Sequence, residues 1–255
     1  MFNFLTVSII FIFGMCIGSF LNVCIYRLPA SKSIANPPRS ICPNCNSHIR
    51  FYDNIPVLSY IWLKGRCRNC DTPISFRYPM VEVMSGTVAV ALLFKFGLSL
   101  ESLVYFVFIS SLLVITFIDL DHKIIPDVIS LPGIPIGLVA SFALPTITLK
   151  ASALGLLIGG GSLWFVAWAY NLIAHRDGMG GGDIKLLAMI GTIIGWKGVI
   201  FTIFASSVMG SCVGITMMLI KGKNMKFAIP FGPFLSIGAI AYVFFGAQFI
   251  AWYLN

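Results

Sequence analysis

Apolar residues in this chain run in long blocks of up to 23 residues, and that length fixes the solvent before anything else is decided. A helix rises about 1.5 Å per residue, so roughly twenty apolar residues match a hydrocarbon core about 30 Å thick. The blocks fall at 4–26, 80–98, 102–118, 128–146, 151–173, 184–196, 198–220 and 232–254. Of 255 residues, 58% are hydrophobic and 10% charged, where a soluble domain carries about 25% charge. The expected fold is an all-α polytopic membrane protein with about eight transmembrane helices and a small loop domain outside the bilayer. The block at 184–196 is short for a crossing. It reads as a tilted, broken or re-entrant helix, with Gly191 and Gly195 as the points of close packing or bending.

A net charge of +8 invites a nucleic-acid reading, but the basic residues collect in the connecting segments, which is the pattern of topology signals. No nucleic-acid partner is expected; the lipid bilayer is. No Lys or Arg precedes the first block and no Ala-x-Ala follows it, so it reads as a retained span and not a cleaved signal. With the N-terminus outside, the segments 27–79, 119–127, 174–185 and 221–231 face the cytoplasm. They hold all 17 Lys and Arg residues except Lys95, Lys150 and Lys197. The organisation that follows is a first span at 1–26, a cytoplasmic domain at 27–79 and a transmembrane core at 80–255.

The domain at 27–79 is too short to hold a self-sufficient core without a staple. Cys42-Pro43-Asn44-Cys45 and Cys67-Arg68-Asn69-Cys70 supply one. Two C-x-x-C knuckles bring four thiolates within reach of one tetrahedral zinc, and backbone amides of the knuckles offset their charge. Arg66 and Arg68 would help accommodate the anionic centre. Disulfides are the competing reading and are disfavoured in the cytoplasm. Four sulfurs leave no open coordination position, so the expected zinc is structural. His48 reads as a solvent-facing loop residue, and Cys16, Cys24 and Cys212 read as small buried residues in apolar runs.

Only nine residues are acidic, which gives weight to two that abut apolar blocks. Asp119 ends the third, in Ile118-Asp119-Leu120-Asp121-His122-Lys123-Ile124-Ile125-Pro126-Asp127. Asp183 opens the sixth, after Gly178-Met179-Gly180-Gly181-Gly182. A carboxylate at a membrane span is costly unless it is paired or used. Both fall at the cytoplasmic side, at one depth. If they meet, one proton is shared between them, and the pair can activate water and protonate a leaving amine. That is aspartic proteolysis. The bland alternative makes both interfacial caps with Lys123 and Lys185 as neighbours, and Asp121 rivals Asp119 on spacing alone. Asp127 is placed to cap the following helix, after Pro126 fixes the turn. The glycines before Asp183 allow close backbone approach and dihedrals that a Cβ would forbid.

Gly178 to Asp183 lacks the third glycine of a dinucleotide fingerprint and the Lys-Ser/Thr of a P-loop. No H-E-x-x-H or G-x-S-x-G occurs, so metallo- and serine hydrolysis have no visible apparatus. His175, Arg176 and the Trp residues at 62, 164, 168, 196 and 252 read as interface anchors or packing residues. A reading of another class is a non-enzymatic transporter or scaffold whose zinc loop docks a partner. Such proteins often show internal repeats, and no convincing duplication is visible.

Taken together, the motifs resemble the bacterial type IV prepilin peptidases, the leader peptidase/N-methyltransferases of the GxGD aspartic protease group. The likeness runs almost end to end. It takes in Gly18-Ser19-Phe20-Leu21-Asn22-Val23 with Tyr26-Arg27-Leu28-Pro29, both cysteine knuckles, and Arg77-Tyr78-Pro79 with Val81-Glu82. It continues through Ile118-Asp119, Ile125-Pro126-Asp127 and Leu131-Pro132 to the glycine cluster with Asp183, and ends in Ile229-Pro230-Phe231-Gly232-Pro233-Phe234. The resemblance implies catalytic roles for Asp119, seven residues before Pro126, and for Asp183. It implies eight transmembrane helices in the bacterial inner membrane and an active site facing the cytoplasm. The implied substrates are prepilins or pseudopilins, cut after a glycine that ends a short basic leader. Members with the cysteine-bearing loop commonly methylate the new N-terminus with S-adenosylmethionine. Glu82 marks the neighbourhood expected for that donor; no residue pattern defines its site.

Overall fold

The computed structural model describes residues 2–37, 39–174, 180–221 and 230–254. Among them every regular element is helical. The helices are α1 (Phe4–Arg27), α2 (Leu58–Trp62), α3 (Arg77–Phe96), α4 (Leu100–His122), α5 (Asp127–Ala140), α6 (Leu149–Ala174), α7 (Gly181–Lys221) and α8 (Gly232–Leu254), with a short 3-10 turn at Phe51–Asn54. Six are long and apolar enough to cross a membrane: α1, α3, α4, α6, α7 and α8. The predicted all-α membrane fold is therefore found, with the number of crossings near the expected eight rather than fixed at it.

Two departures have local causes. The block expected at 128–146 is helical only over Asp127–Ala140, about 21 Å at 1.5 Å per residue. Pro132 and Pro135 lie inside it, each removing a backbone donor. The blocks expected at 184–196 and 198–220 form the single element α7, broken at Gly195 (φ 70°, ψ 176°). A Cβ on Gly191 would stand 3.0 Å from Cγ2 of Val199, although residues eight apart in a straight helix are separated by about 12 Å. The chain doubles back there, at a left-handed backbone angle that glycine adopts freely.

The chain divides into two compact units, Met1–Val114 and Ile115–Asn255. In the first, α1 and α3 lie side by side with backbone nearly touching backbone. A Cβ on Gly14 would come 2.7 Å from the Cα of Gly86, and one on Gly18 would come 2.6 Å from the Cα of Glu82. Lipid is as apolar as leucine, so membrane helices gain by such close approach rather than by burying oily side chains. The amide of Asn22 donates to the Tyr78 carbonyl at 3.0 Å. Arg27 donates to the carbonyls of Ser33, Ile34 and Pro37 at 3.1, 2.9 and 2.9 Å, gathering the start of the loop.

In the second unit, the arm of α7 before Gly195 is the centre. Gly155 and Gly159 of α6 face the backbone of Gly191 and Leu187, and the Ser152 hydroxyl donates to the Thr192 carbonyl at 2.6 Å. Gly133 and Gly137 of α5 leave room for Met189 and Thr192 on the same arm. Gly238 of α8 lies against Thr202 in the arm beyond the break. Leu186, Leu187, Ile190 and Leu235 are fully buried in this bundle.

Candidate active site and metal centre

Asp119 lies in the last turn of α4 and is 5% exposed. Its Oδ2 accepts the backbone amide of Gly232 at 3.0 Å. Gly232 opens α8, and the free amides of a helix N-terminus are natural partners for a carboxylate. Asp183 lies in the first turn of α7, partly buried. Ile125 shows how the elements converge. Its side chain is 3.0 Å from where a Cβ on Gly182 would stand and 3.4 Å from where one on Gly232 would stand. One residue thus borders both the glycine beside Asp183 and the glycine bonded to Asp119. Asp121 is exposed, which separates it from its near neighbour in sequence.

The surroundings are apolar. Ile115, Ile118, Leu186 and Leu187 are fully buried within a few residues of the two carboxylates. Water is excluded on that side, and charges there interact more strongly than in solvent.

Three sequence expectations change at this site. Asp127 does not cap α5: Pro126 holds the capping position without a side-chain bond, and Asp127 takes Lys185 Nζ at 2.8 Å on each oxygen. Lys185 is therefore committed to the start of α5. Gly180, Gly181 and Gly182 have no left-handed φ. Gly182 is needed for space against Ile125, while a Cβ on Gly180 or Gly181 would meet nothing within 4 Å. Gly178, Met179, His175 and Arg176 lie outside the described residues. Gly232 has a role that sequence reasoning missed. The Gly-Pro pair opening an apolar run signals a helix start, but which carboxylate that start faces is visible only in three dimensions.

The four cysteines of the loop converge in the first unit. The Sγ atoms of Cys42, Cys45, Cys67 and Cys70 lie within 4.8 Å of one another. Those of Cys42 and Cys70 are 3.8 Å apart, and sulfurs about 2.3 Å from a shared tetrahedral zinc stand about 3.8 Å apart. The donor set therefore fits that ion. The two knuckles repeat one local structure. Cys42 and Cys67 donate amides to Ser47 and Thr72 at 3.0 and 2.9 Å, and receive the amides of Asn46 and Asp71 at 2.9 and 3.0 Å. Asn46 and Asp71 both adopt positive φ, 56° and 54°.

The thiols are tuned unequally. The Thr72 hydroxyl and amide, then Asn44, bring Cys70 down to about 6, and Ser47 lowers Cys45. The Cys45 amide favours the Cys42 thiolate, yet burial and the neighbouring thiols push it up to about 11. Four adjacent sulfurs will not all ionise alone, and a dication removes that conflict. Arg68, expected to help accommodate the anionic centre, is paired with a carboxylate. It forks onto Asp53 at 2.6 and 2.9 Å, and that bond holds the Asp53 carboxyl below its ordinary range. His48 is exposed, as expected. Of the remaining cysteines Cys24 is buried, but Cys16 and Cys212 are exposed on apolar helices. Glu82 is occupied within the fold: its Oε2 accepts the Val57 amide at 2.8 Å.

Comparison with known proteins agrees with this arrangement. Residues 12–96 match a family model described as the bacterial peptidase A24 N-terminal domain, and residues 106–215 match the type IV leader peptidase family. A prepilin leader peptidase/N-methyltransferase of Aeromonas hydrophila is 36% identical, over 97% of this chain and 93% of its own length. One of Pseudomonas putida is 37% identical, over 94% and 91%. No solved structure matches the chain. Near-complete coverage at this identity, with both halves matched in order, places the chain in the type IV leader peptidase family.

Proposed function

We propose that this enzyme removes the basic leader of prepilins or pseudopilins after a glycine, with Asp119 and Asp183 as its catalytic pair, and then methylates the exposed N-terminus. The observation that carries the peptidase reading is the convergence around Ile125 of the two helix ends that bear the carboxylates, one carboxylate buried and held by an amide. Two such groups keep a single proton between them and titrate as a unit. The ionised member takes a proton from water as the water oxygen attacks the scissile carbonyl carbon. The protonated member donates to the carbonyl oxygen, giving a neutral gem-diol. A proton then passes to the departing nitrogen as the carbon–nitrogen bond breaks, and the shared proton is restored. No metal enters these steps.

The zinc assigned to Cys42, Cys45, Cys67 and Cys70 is structural, closing a loop too small for its own core. The methyl-transfer half rests on the names of the relatives. S-adenosylmethionine, when bound, supplies an electrophilic methyl group to the new amine. The distribution of Lys and Arg supports a cytoplasmic site in the bacterial inner membrane.

The test is cleavage of a purified prepilin by Asp119→Asn and Asp183→Asn, read by mass spectrometry. Each should abolish leader removal while leaving the protein folded in its membrane. Cleavage retained by either folded variant removes that residue from the pair. The same spectra report a methyl group on the product.

A further inference from the structure

A short helix in the cysteine loop turns an apolar face outward. Leu58, Ile61 and Trp62 of α2 stand at i, i+3 and i+4, one side of a helix, and are 63%, 65% and 83% exposed. Its depth is set by a bond already described. The Val57 amide, immediately before α2, is held by Glu82, the sixth residue of the spanning helix α3. Five residues of helix rise are about 7.5 Å, so the start of α2 is tied alongside the second turn of a helix whose first residue, Arg77, belongs at the headgroups. A loop segment so tied lies at the boundary of headgroup and acyl chain. Beside the apolar face is a cleft of about 470 Å³ lined by Trp62, Lys64, Arg66, Arg68 and Asp71. Arg68 is engaged by Asp53, which leaves the exposed Lys64 and Arg66 as its outward charges, opposed by Asp71.

We propose that α2 is an interfacial foot: Leu58, Ile61 and Trp62 enter the lipid surface, and Lys64 and Arg66 bind the headgroups of anionic phospholipid. An apolar face dipping into the headgroup boundary beside basic residues is how amphipathic segments bind membranes. The bilayer is favoured over a protein partner because the patch is fastened to a helix long and apolar enough to span it. A foot here holds the cysteine domain at a fixed height above the membrane. The proposal does not depend on the peptidase reading.

The test uses full-length protein in nanodiscs, with Trp62→Phe as the reference that isolates the Trp62 emission. The Trp62 component should be blue-shifted, quenched by lipids brominated near the headgroup end of their chains, and protected from acrylamide. In anionic lipid the docked fraction should exceed that in zwitterionic lipid. Lys64→Gln with Arg66→Gln should erase the excess, each cation having strengthened docking about fivefold. Emission typical of water, quenched by acrylamide and untouched by brominated lipid, overturns the proposal. So does quenching that is protected only when a prepilin is added, which would assign the face to substrate. Equal docking in anionic and zwitterionic lipid, or an excess in anionic lipid that survives the two Gln substitutions, overturns the headgroup part.

Discussion

Substituting Gly232 by alanine probes the site without touching either carboxylate. A Cβ there would stand 2.6 Å from Oδ2 and 3.3 Å from Cγ of Asp119, and 3.4 Å from Cδ1 of Ile125. A carbon and an oxygen need about 3.2 Å, so Asp119 or the start of α8 must move by at least about 0.6 Å. The bond from the Gly232 amide is 3.0 Å long. Added displacement takes it to the limit at which a hydrogen bond ceases to count. A hydrogen bond to a charged group contributes about 1.5–3 kcal/mol, which corresponds to a fall in kcat of roughly 10- to 150-fold. The KM for prepilin should change little, because the amide touches the carboxylate and not the substrate. The assay is leader cleavage at saturating prepilin, with Gly161→Ala as the control, since a Cβ there meets nothing within 4 Å. A folded Gly232→Ala enzyme with the parent kcat would refute the positioning argument. A rise in KM alone would move Gly232 into substrate binding.

Asp121→Asn should retain cleavage within about threefold, because Asp121 is exposed and not buried with Asp119; a loss matching that of Asp119→Asn would count against the assignment. Chelation of zinc, or Cys42→Ser, should open the loop at 28–76 to proteolysis while α1 and α3 remain protected, as limited digestion would show. Gly155→Leu should destabilise the second unit strongly, since Gly155 faces the Gly191 backbone with no room for a side chain; an unchanged melting temperature would be inconsistent with that packing. Asp53 has a lowered folded pKa, held by Arg68. Its contribution is present above the unfolded value of about 3.9 and is lost only as pH falls through the lower folded value. Loop protection from protease should therefore persist at mildly acidic pH, and Asp53→Asn should loosen the loop slightly at neutral pH too.

Much of this protein was legible in the order of its residues. Blocks of apolar residues specify helices in lipid because an unpaired backbone group in hydrocarbon is too costly to leave exposed. Two C-x-x-C knuckles specify a four-sulfur cluster because each pair is local, and only one long-range meeting is left to chance. Gly191 and Gly195 were readable as points of approach and bending, and they serve as such. Other features needed the folded chain. Spacing could not choose between Asp119 and Asp121, since only the packing around α4 buries one and exposes the other. Asp127 looked like a cap until Lys185, 58 positions away, arrived to pair with it. Above all, no local pattern links Asp119 to the amide of Gly232, 113 residues later. Sequence encodes periodicity and short motifs, whereas a contact between distant residues exists only once helices have packed.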